Sequence, residues 1–146
     1  MTTVAVHAVD PARFDQVLAL LACSDLPVDG LLDHVATTLV AEEDGHIVGS
    51  AALELYGQAA LLRSVAVDSR RRNQGIGQRL VGDILALATG RQVRWVYLLT
   101  ESAVPYFVRL GFRTVDRADV APAVKASVEF LSACPQSAHV MMKDIG

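Results

Sequence analysis

Residues 63–81 read Arg63-Ser-Val-Ala-Val-Asp-Ser-Arg-Arg-Arg-Asn-Gln-Gly-Ile-Gly-Gln-Arg-Leu-Val81. A run of small and β-branched residues ends at Asp68, three arginines follow, and Gly75-x-Gly77 leads directly into a helical pattern. A glycine-rich turn between a strand and a helix N-terminus is an anion site, because the first helical N–H groups have no partner within the helix. Glycine lets a phosphate reach the backbone, since no Cβ stands in the way. Arginines nearby add charge-assisted contacts to phosphate. The segment reads as a pyrophosphate cradle.

Two familiar cradles are excluded. A P-loop requires Gly-Lys-Ser/Thr, which is absent here. A dinucleotide fingerprint requires a third glycine and a first glycine directly after the strand, whereas Gly75 stands seven positions after Asp68. What remains is Arg72-Asn73-Gln74-Gly75-Ile76-Gly77, followed by Gln78-Arg79.

The chain has 146 residues, 52% of them hydrophobic and 20% charged, with a net charge of −3. That length supports a single domain with a real core, and residues 1–146 are read as one domain. No basic stripe exists beyond the three arginines, which argues against a nucleic-acid partner. The apolar runs fall short of the roughly 18 residues of a membrane span. The start, Met1-Thr-Thr and then Asp10, lacks the positive and apolar regions of a secretory leader. Cys23 and Cys134 show neither CxxC nor Cys/His spacing, so the expectation is two reduced thiols, a cytoplasmic location and no metal.

Outward from the cradle, the pattern predicts strands at 4–8, 38–41, 47–55, 60–67, 94–99, 112–115 and 139–143. Asp10-Pro11 opens a helix to about Ala22, and a second short helix follows over 31–35. Asp44-Gly45 predicts a hairpin turn, with Glu42 and Glu43 as solvent-facing charges. The cradle launches a helix to about Thr89, closed by Gly90 in the left-handed position. Shorter helices are predicted over 101–110 and 119–131. The order describes an α/β mixed sheet flanked by helices, with an early antiparallel meander and parallel crossovers afterwards.

Arg72-x-x-Gly75-x-Gly77, preceded by SVAVDSRR, resembles the phosphate-binding motif of the GNAT superfamily of acyl-CoA N-acyltransferases, and Leu110-Gly111-Phe112 resembles its second signature. The tail VEFLSACPQSAHVMMKD is most similar to the arsenic-resistance N-acetyltransferase group, and LLTESAVPYF resembles the acetyltransferase domain of N-acetylglutamate synthases. The resemblance implies the GNAT fold and acetyl-CoA as donor, bound by Val65, Val67, Arg72, Asn73, Gln74, Gly75, Ile76, Gly77, Gln78 and Arg79. The acceptor implied is a small, amino-acid-like amine, or an organoarsenical analogue of one. Two other readings stay open, an amino-acid N-acetyltransferase unconnected with arsenic and a catalytically silent acyl-CoA-binding module. The assembly is also open, a homodimer being one option.

In the resembled family, backbone amides at Val65 and Val67 meet the thioester and pantetheine, and an N–H aimed at a developing oxyanion lowers the barrier by a few kcal/mol. The tyrosine that many members use as proton donor is Phe107 here. Its neighbour Tyr106 is the catalytic candidate, although about 100° of helix separates the two. An amine of pKa near 10 needs help to lose its proton. The family's strand glutamate is replaced by Leu61, which leaves Glu54, an acid in an apolar strand, as the candidate base or as a structural ion-pair member. Glu101, at the end of the next strand, is a candidate for the acceptor side. Arg63 is a charge in an apolar strand and needs a partner, either an anionic group of the acceptor or an internal acid such as Glu54.

Overall fold

A computed structural model describes residues 4–146. Met1–Thr3, where the reading for a leader begins, lie outside the described residues. The elements in chain order are β1 (Ala5–Ala8), α1 (Phe14–Cys23), β2 (Thr38–Glu43), β3 (His46–Tyr56), β4 (Ala59–Val67), α2 (Ile76–Gly90), β5 (Trp95–Thr100), α3 (Val104–Arg109), β6 (Arg113–Val115) and β7 (His139–Asp144). Asp10 caps the turn before α1, its side chain accepting from Ala12 N–H. Asp44 and Gly45 both take positive φ, the geometry that matches the twist of a tight hairpin.

Among the described residues the strands form one seven-stranded sheet in the order β1-β2-β3-β4-β5-β7-β6. The first four strands are an antiparallel meander. The expectation of parallel crossovers afterwards holds for one pair only. β4 and β5 are parallel, while β7 inserts antiparallel between β5 and β6. The short β6 becomes an edge strand.

Strand alternation assigns the core. Leu39, Ala41, Ala51, Leu53, Ala60 and Leu62 face α2, whose Ile76, Leu80, Ile84 and Ala88 cover them. The opposite face carries Val40, Ala52 and Ala66 under α1. The other half of that face holds Ala59, Leu61, Tyr97 and Val140 under Val120, Val124 and Phe130. No helix among the described residues is long and apolar enough to cross a membrane.

Four local expectations are corrected. The late helix over 119–131 is instead a chain of short turns at Arg117–Asp119, Val124–Ala126 and Glu129–Ala133. Ser127 breaks it, with extended backbone and a side chain that accepts from Glu129 N–H. The helix expected over 101–110 starts only at Val104, because the Thr100 hydroxyl accepts from Ala103 N–H and holds the preceding residues in a turn. Gly90 lies inside α2, and Gln92 takes the left-handed position while Val93 N–H bonds back to Ala88 O. Glu43 is buried rather than solvent-facing, paired with Arg71 at 2.7 Å, and the half-buried Glu42 is held by Arg13 and His7.

Candidate active site

The site begins with a defect in the sheet. Ser50 pairs with Ala66 but Ala52 pairs with Arg63, so Ser64 and Val65 stand opposite the single residue Ala51. This is a β-bulge, and Ser64 takes φ 60 to make it. Ser50 Oγ donates to Ser64 O at 2.7 Å and fixes the kink. β4 pairs with β5 only over Ala59–Leu61 against Trp95–Tyr97, so the two strands are already unpaired where the bulge lies. The sheet opens there like a V.

The bulge also decides where the β4 backbone points. Asp68 N–H bonds to Val48 O, so alternation turns the polar groups of Val67 away from β3, and Val67 O accepts from Arg72 Nε at 3.3 Å. Ser64 O faces Ser50, and its trans peptide aims Val65 N–H the opposite way. Both valines border the opening.

Two cavities meet in the V. One, of about 880 Å³, is walled by Val65 and Val67, the loop at Arg71–Asn73, Gly75–Gln78, and Tyr106 and Arg109 of α3. The other, of about 740 Å³, is walled by Arg63–Val65, Leu98–Ala103, Phe107, Glu129 and Cys134. Val65, Ser24, Leu26, Ser102 and Ala103 belong to both. A ligand that crosses Val65 therefore touches both chambers.

The first chamber has the geometry of a phosphate cradle. Asn73 and Gly75 both have positive φ, 64 and 79, which curls the backbone into the N-terminus of α2. A Cβ on Gly75 would meet nothing within 4 Å, so that side of the loop is open to a ligand. A Cβ on Gly77 would lie 2.5 Å from the Tyr106 hydroxyl, so a larger residue there displaces the Tyr106 ring. Of the expected cradle residues, Gln74 and Arg79 lie off this wall, and Arg79 instead donates to Val4 O at 2.6 Å. Arg71 and Arg109 are on the wall, and Arg109 was missed because a lone arginine on a short helix carries no local signal. Tyr106 has its hydroxyl at the Gly77 end of this chamber, while Phe107 turns to the other one. Burial raises the Tyr106 pKa.

The floor of the second chamber is a buried trio of charges. Arg63, with a side chain 0% exposed, donates from Nη1 to Glu54 Oε2 at 2.8 Å and faces Glu129 Oε2 from Nε at 3.2 Å. Nη1 also donates to Asp29 O, Nη2 donates to Pro27 O, and Nε donates to Ser64 Oγ. Of the two partners entertained for Arg63 from sequence, the structure builds the internal one. Glu54 sits behind Arg63, off the cavity wall, and also accepts from Tyr56 Oη. Burial works to raise the Glu54 pKa, but hydrogen bonds from Ser127, Tyr56 and Arg63 outweigh it and the pKa is lowered. Glu54 thus holds its charge and is placed as a counter-ion.

Glu129 behaves oppositely. Burial pushes it up to about 7, with Arg63 opposing. The Cys134 thiol beside it is pushed up to about 12, by burial first and then by Glu129. Glu129 escaped the sequence reading, although it carries the same signal as Glu54, an acid set in an apolar run (Val128-Glu129-Phe130-Leu131). Glu101 is exposed at the mouth of the chamber.

Fold and site together give an α/β mixed sheet in which a glycine-rich loop at a helix N-terminus lines one chamber and a buried charged trio floors the adjoining one. The model of the acetyltransferase (GNAT) domain matches residues 34–114, and the chain belongs to that family. An uncharacterised N-acetyltransferase of Chlorobaculum tepidum is 31% identical over 91 residues, spanning 62% of this chain and 58% of that protein. An amino-acid acetyltransferase of Neisseria meningitidis is 28% identical over 86 residues, spanning 58% of this chain and 20% of that protein. The chain thus matches only part of the length of these curated relatives. Among solved structures, N-acetylglutamate synthase from Neisseria gonorrhoeae, complexed with coenzyme A and N-acetyl-glutamate, superposes with a TM-score of 0.84 at 18% identity, over 99% of this chain and 35% of that one. Rv2747 from Mycobacterium tuberculosis, in complex with CoA, gives 0.82 at 23% identity over 97% and 99% of the two chains.

Proposed function

We propose that this chain is an N-acetyltransferase that moves an acetyl group from acetyl-CoA to the amine of a small, amino-acid-like acceptor. The observation that carries the reading is the pair of chambers meeting at Val65. The cradle at Arg72–Gln78 takes the pyrophosphate, and Val67 and Val65 line the path of the pantetheine arm. Val65 N–H is the donor offered to the thioester oxygen, and the chamber over Arg63 and Glu129 takes the acceptor, with Glu101 at its mouth. Membership of the family and CoA in the structures of its relatives support the donor. The meningococcal relative, an amino-acid acetyltransferase, supports the acceptor class.

The fit rests on this chain's backbone. Gly75 and Gly77 leave the phosphate path free of Cβ atoms, and the N-terminus of α2 supplies unpaired N–H groups to it. Acetyl-CoA supplies an activated acyl group whose sulfur is a good leaving group. Val65 N–H stabilises negative charge on the acyl oxygen without a side chain. Tyr106 stands at the cradle end of the chamber and is assigned to holding the coenzyme there. A narrower acceptor, an organoarsenical analogue of an amino acid, rests on the sequence resemblance of the tail.

The test is release of free thiol from acetyl-CoA against a panel of amino acids and an amino-acid arsonate, with coenzyme affinity measured in parallel by calorimetry. Acceptor-dependent release is expected. Affinity for acetyl-CoA with no release for any acceptor would make the chain a binding module instead.

A further inference from the structure

We propose that Glu129 is the base that takes the proton from the acceptor's ammonium group. The proposal rests on the acetyl-transfer reading and deepens it. Four carboxylates touch the acceptor chamber: Asp25, Asp29, Glu101 and Glu129. The first three are exposed residues at its rim. Glu129 alone among them is buried, its side chain 5% exposed, and it reaches the chamber beside Arg63 and next to the bulge at Ser64–Val65. Glu54, the other buried acid of the trio, is shielded behind Arg63 and accepts from both Arg63 and Tyr56.

The charge balance of the trio supports the role. Glu54 already neutralises Arg63, so ionised Glu129 leaves the floor one negative charge in excess, which favours an arriving ammonium. Protonated Glu129 leaves the floor neutral. The groups that face Glu129 are Arg63 from β4, Glu54 from β3, Asp29 from the loop after α1, and Cys134 from the end of its own turn. Glu101 acts on Cys134, and His34 stands 3.8 Å from Glu54. The balance holds the Glu129 carboxyl near neutrality, where a base is most effective.

The step balances as follows. One ammonium proton passes to the Glu129 carboxylate and on to solvent through the open chamber. The freed nitrogen pair forms the C–N bond to the acyl carbon while the carbonyl oxygen charges against Val65 N–H. As the C–S bond breaks, the second nitrogen proton goes to the departing sulfur. The products are the amide, free thiol and one proton.

The test compares wild type with Glu129→Gln, which keeps the size of the side chain and removes its charge. In wild type, kcat/KM for an amino-acid acceptor should rise tenfold per pH unit up to about 7 and then level. In Glu129→Gln the value at pH 7 should fall by about 10²–10³-fold, and the break near 7 should vanish. The same variant should act at nearly the wild-type rate on an aminooxy analogue of that acceptor, whose nitrogen is unprotonated at pH 7. Glu129→Asp, which keeps the carboxyl, should recover part of the loss. Equal losses on both acceptors, or a Glu129→Gln profile that keeps the break, would overturn the proposal. Failure of the acetyl-transfer reading looks different, since wild type would then release no thiol with any acceptor at any pH.

Discussion

Replacing Arg63 by Met tests the charge trio most directly. The side chain is wholly buried and holds Glu54 at 2.8 Å and Glu129 at 3.2 Å. Methionine preserves much of the volume but leaves two carboxylates facing each other without a cation. Removing one partner of a buried ion pair costs about 3–5 kcal/mol, or roughly 6–20 °C in Tm for a domain of this size. The loss should depend on pH. Without the guanidinium the Glu129 carboxyl is held still higher than about 7, so at pH 5.5 it is neutral and the variant suffers least. At pH 8 the cost of keeping it neutral or burying its charge is felt in full. Circular-dichroism melts at pH 5.5 and 8 should therefore show the larger drop at pH 8, and adding Glu129→Gln should recover part of it. A Tm within about 2 °C of wild type at both pH values, with KM rising only for anionic acceptors, would refute this account. It would return Arg63 to the role of pairing the acceptor's anionic group.

Three further outcomes follow from the same geometry. Gly77→Val places a Cβ 2.5 Å from the Tyr106 hydroxyl and narrows the phosphate path, so calorimetry should show acetyl-CoA affinity reduced at least about tenfold in a protein that still folds. An unchanged affinity in the folded variant removes the cradle. Tyr106→Phe, with the hydroxyl at the cradle end, should raise KM for acetyl-CoA while costing kcat well under the roughly hundredfold of a positioned acid. A hundredfold fall in kcat with intact binding would make Tyr106 the proton donor. Because the folded pKa of Glu129 is raised to about 7 from 4.5, its contribution to stability is complete below pH 4.5. About 3 kcal/mol is then lost as pH climbs through 7. Glu54, lowered, acts with the opposite sign at acid pH. Urea midpoints at pH 5 and 8 should show a decline in wild type that Glu129→Gln lacks, and identical profiles would mean that Glu129 is not held protonated.

Much of the site was legible in the residues. Gly75 and Gly77 marked the candidate cradle, Gly75 because its positive φ favours glycine and Gly77 because a Cβ there would meet the Tyr106 hydroxyl. Glu54 and Arg63 stood out as charges in apolar strands, and the structure shows why: they lie on one face of adjacent antiparallel strands, with Glu54 opposite Leu61 and Arg63 opposite Ala52. Their mutual pairing was one of two options that the pattern left open. Glu129 carried the same kind of signal but sat in a stretch read as an ordinary late helix, where one acid among apolar residues is commonplace.

The sequence by itself determined the seven strands, the helices before β2 and after the glycine-rich loop, and the hairpin at Asp44-Gly45, and it marked Gly75-x-Gly77 as the candidate anion site. These features follow from local rules, namely side-chain period, turn chemistry and the steric freedom of glycine, each readable within a dozen residues. Only the tertiary structure decided that β7 inserts between β5 and β6, that Ser64 adopts positive φ in the bulge of β4, and that the Glu129 turn folds down onto Arg63. The bulge has no glycine to announce it, because Ser50 from the neighbouring strand holds it in place. The pairing of Glu129 with Arg63 joins residues far apart in the chain. Its free energy comes from burying a charge that must find a partner, and the partner is fixed by the packing of the whole sheet rather than by any local run of residues.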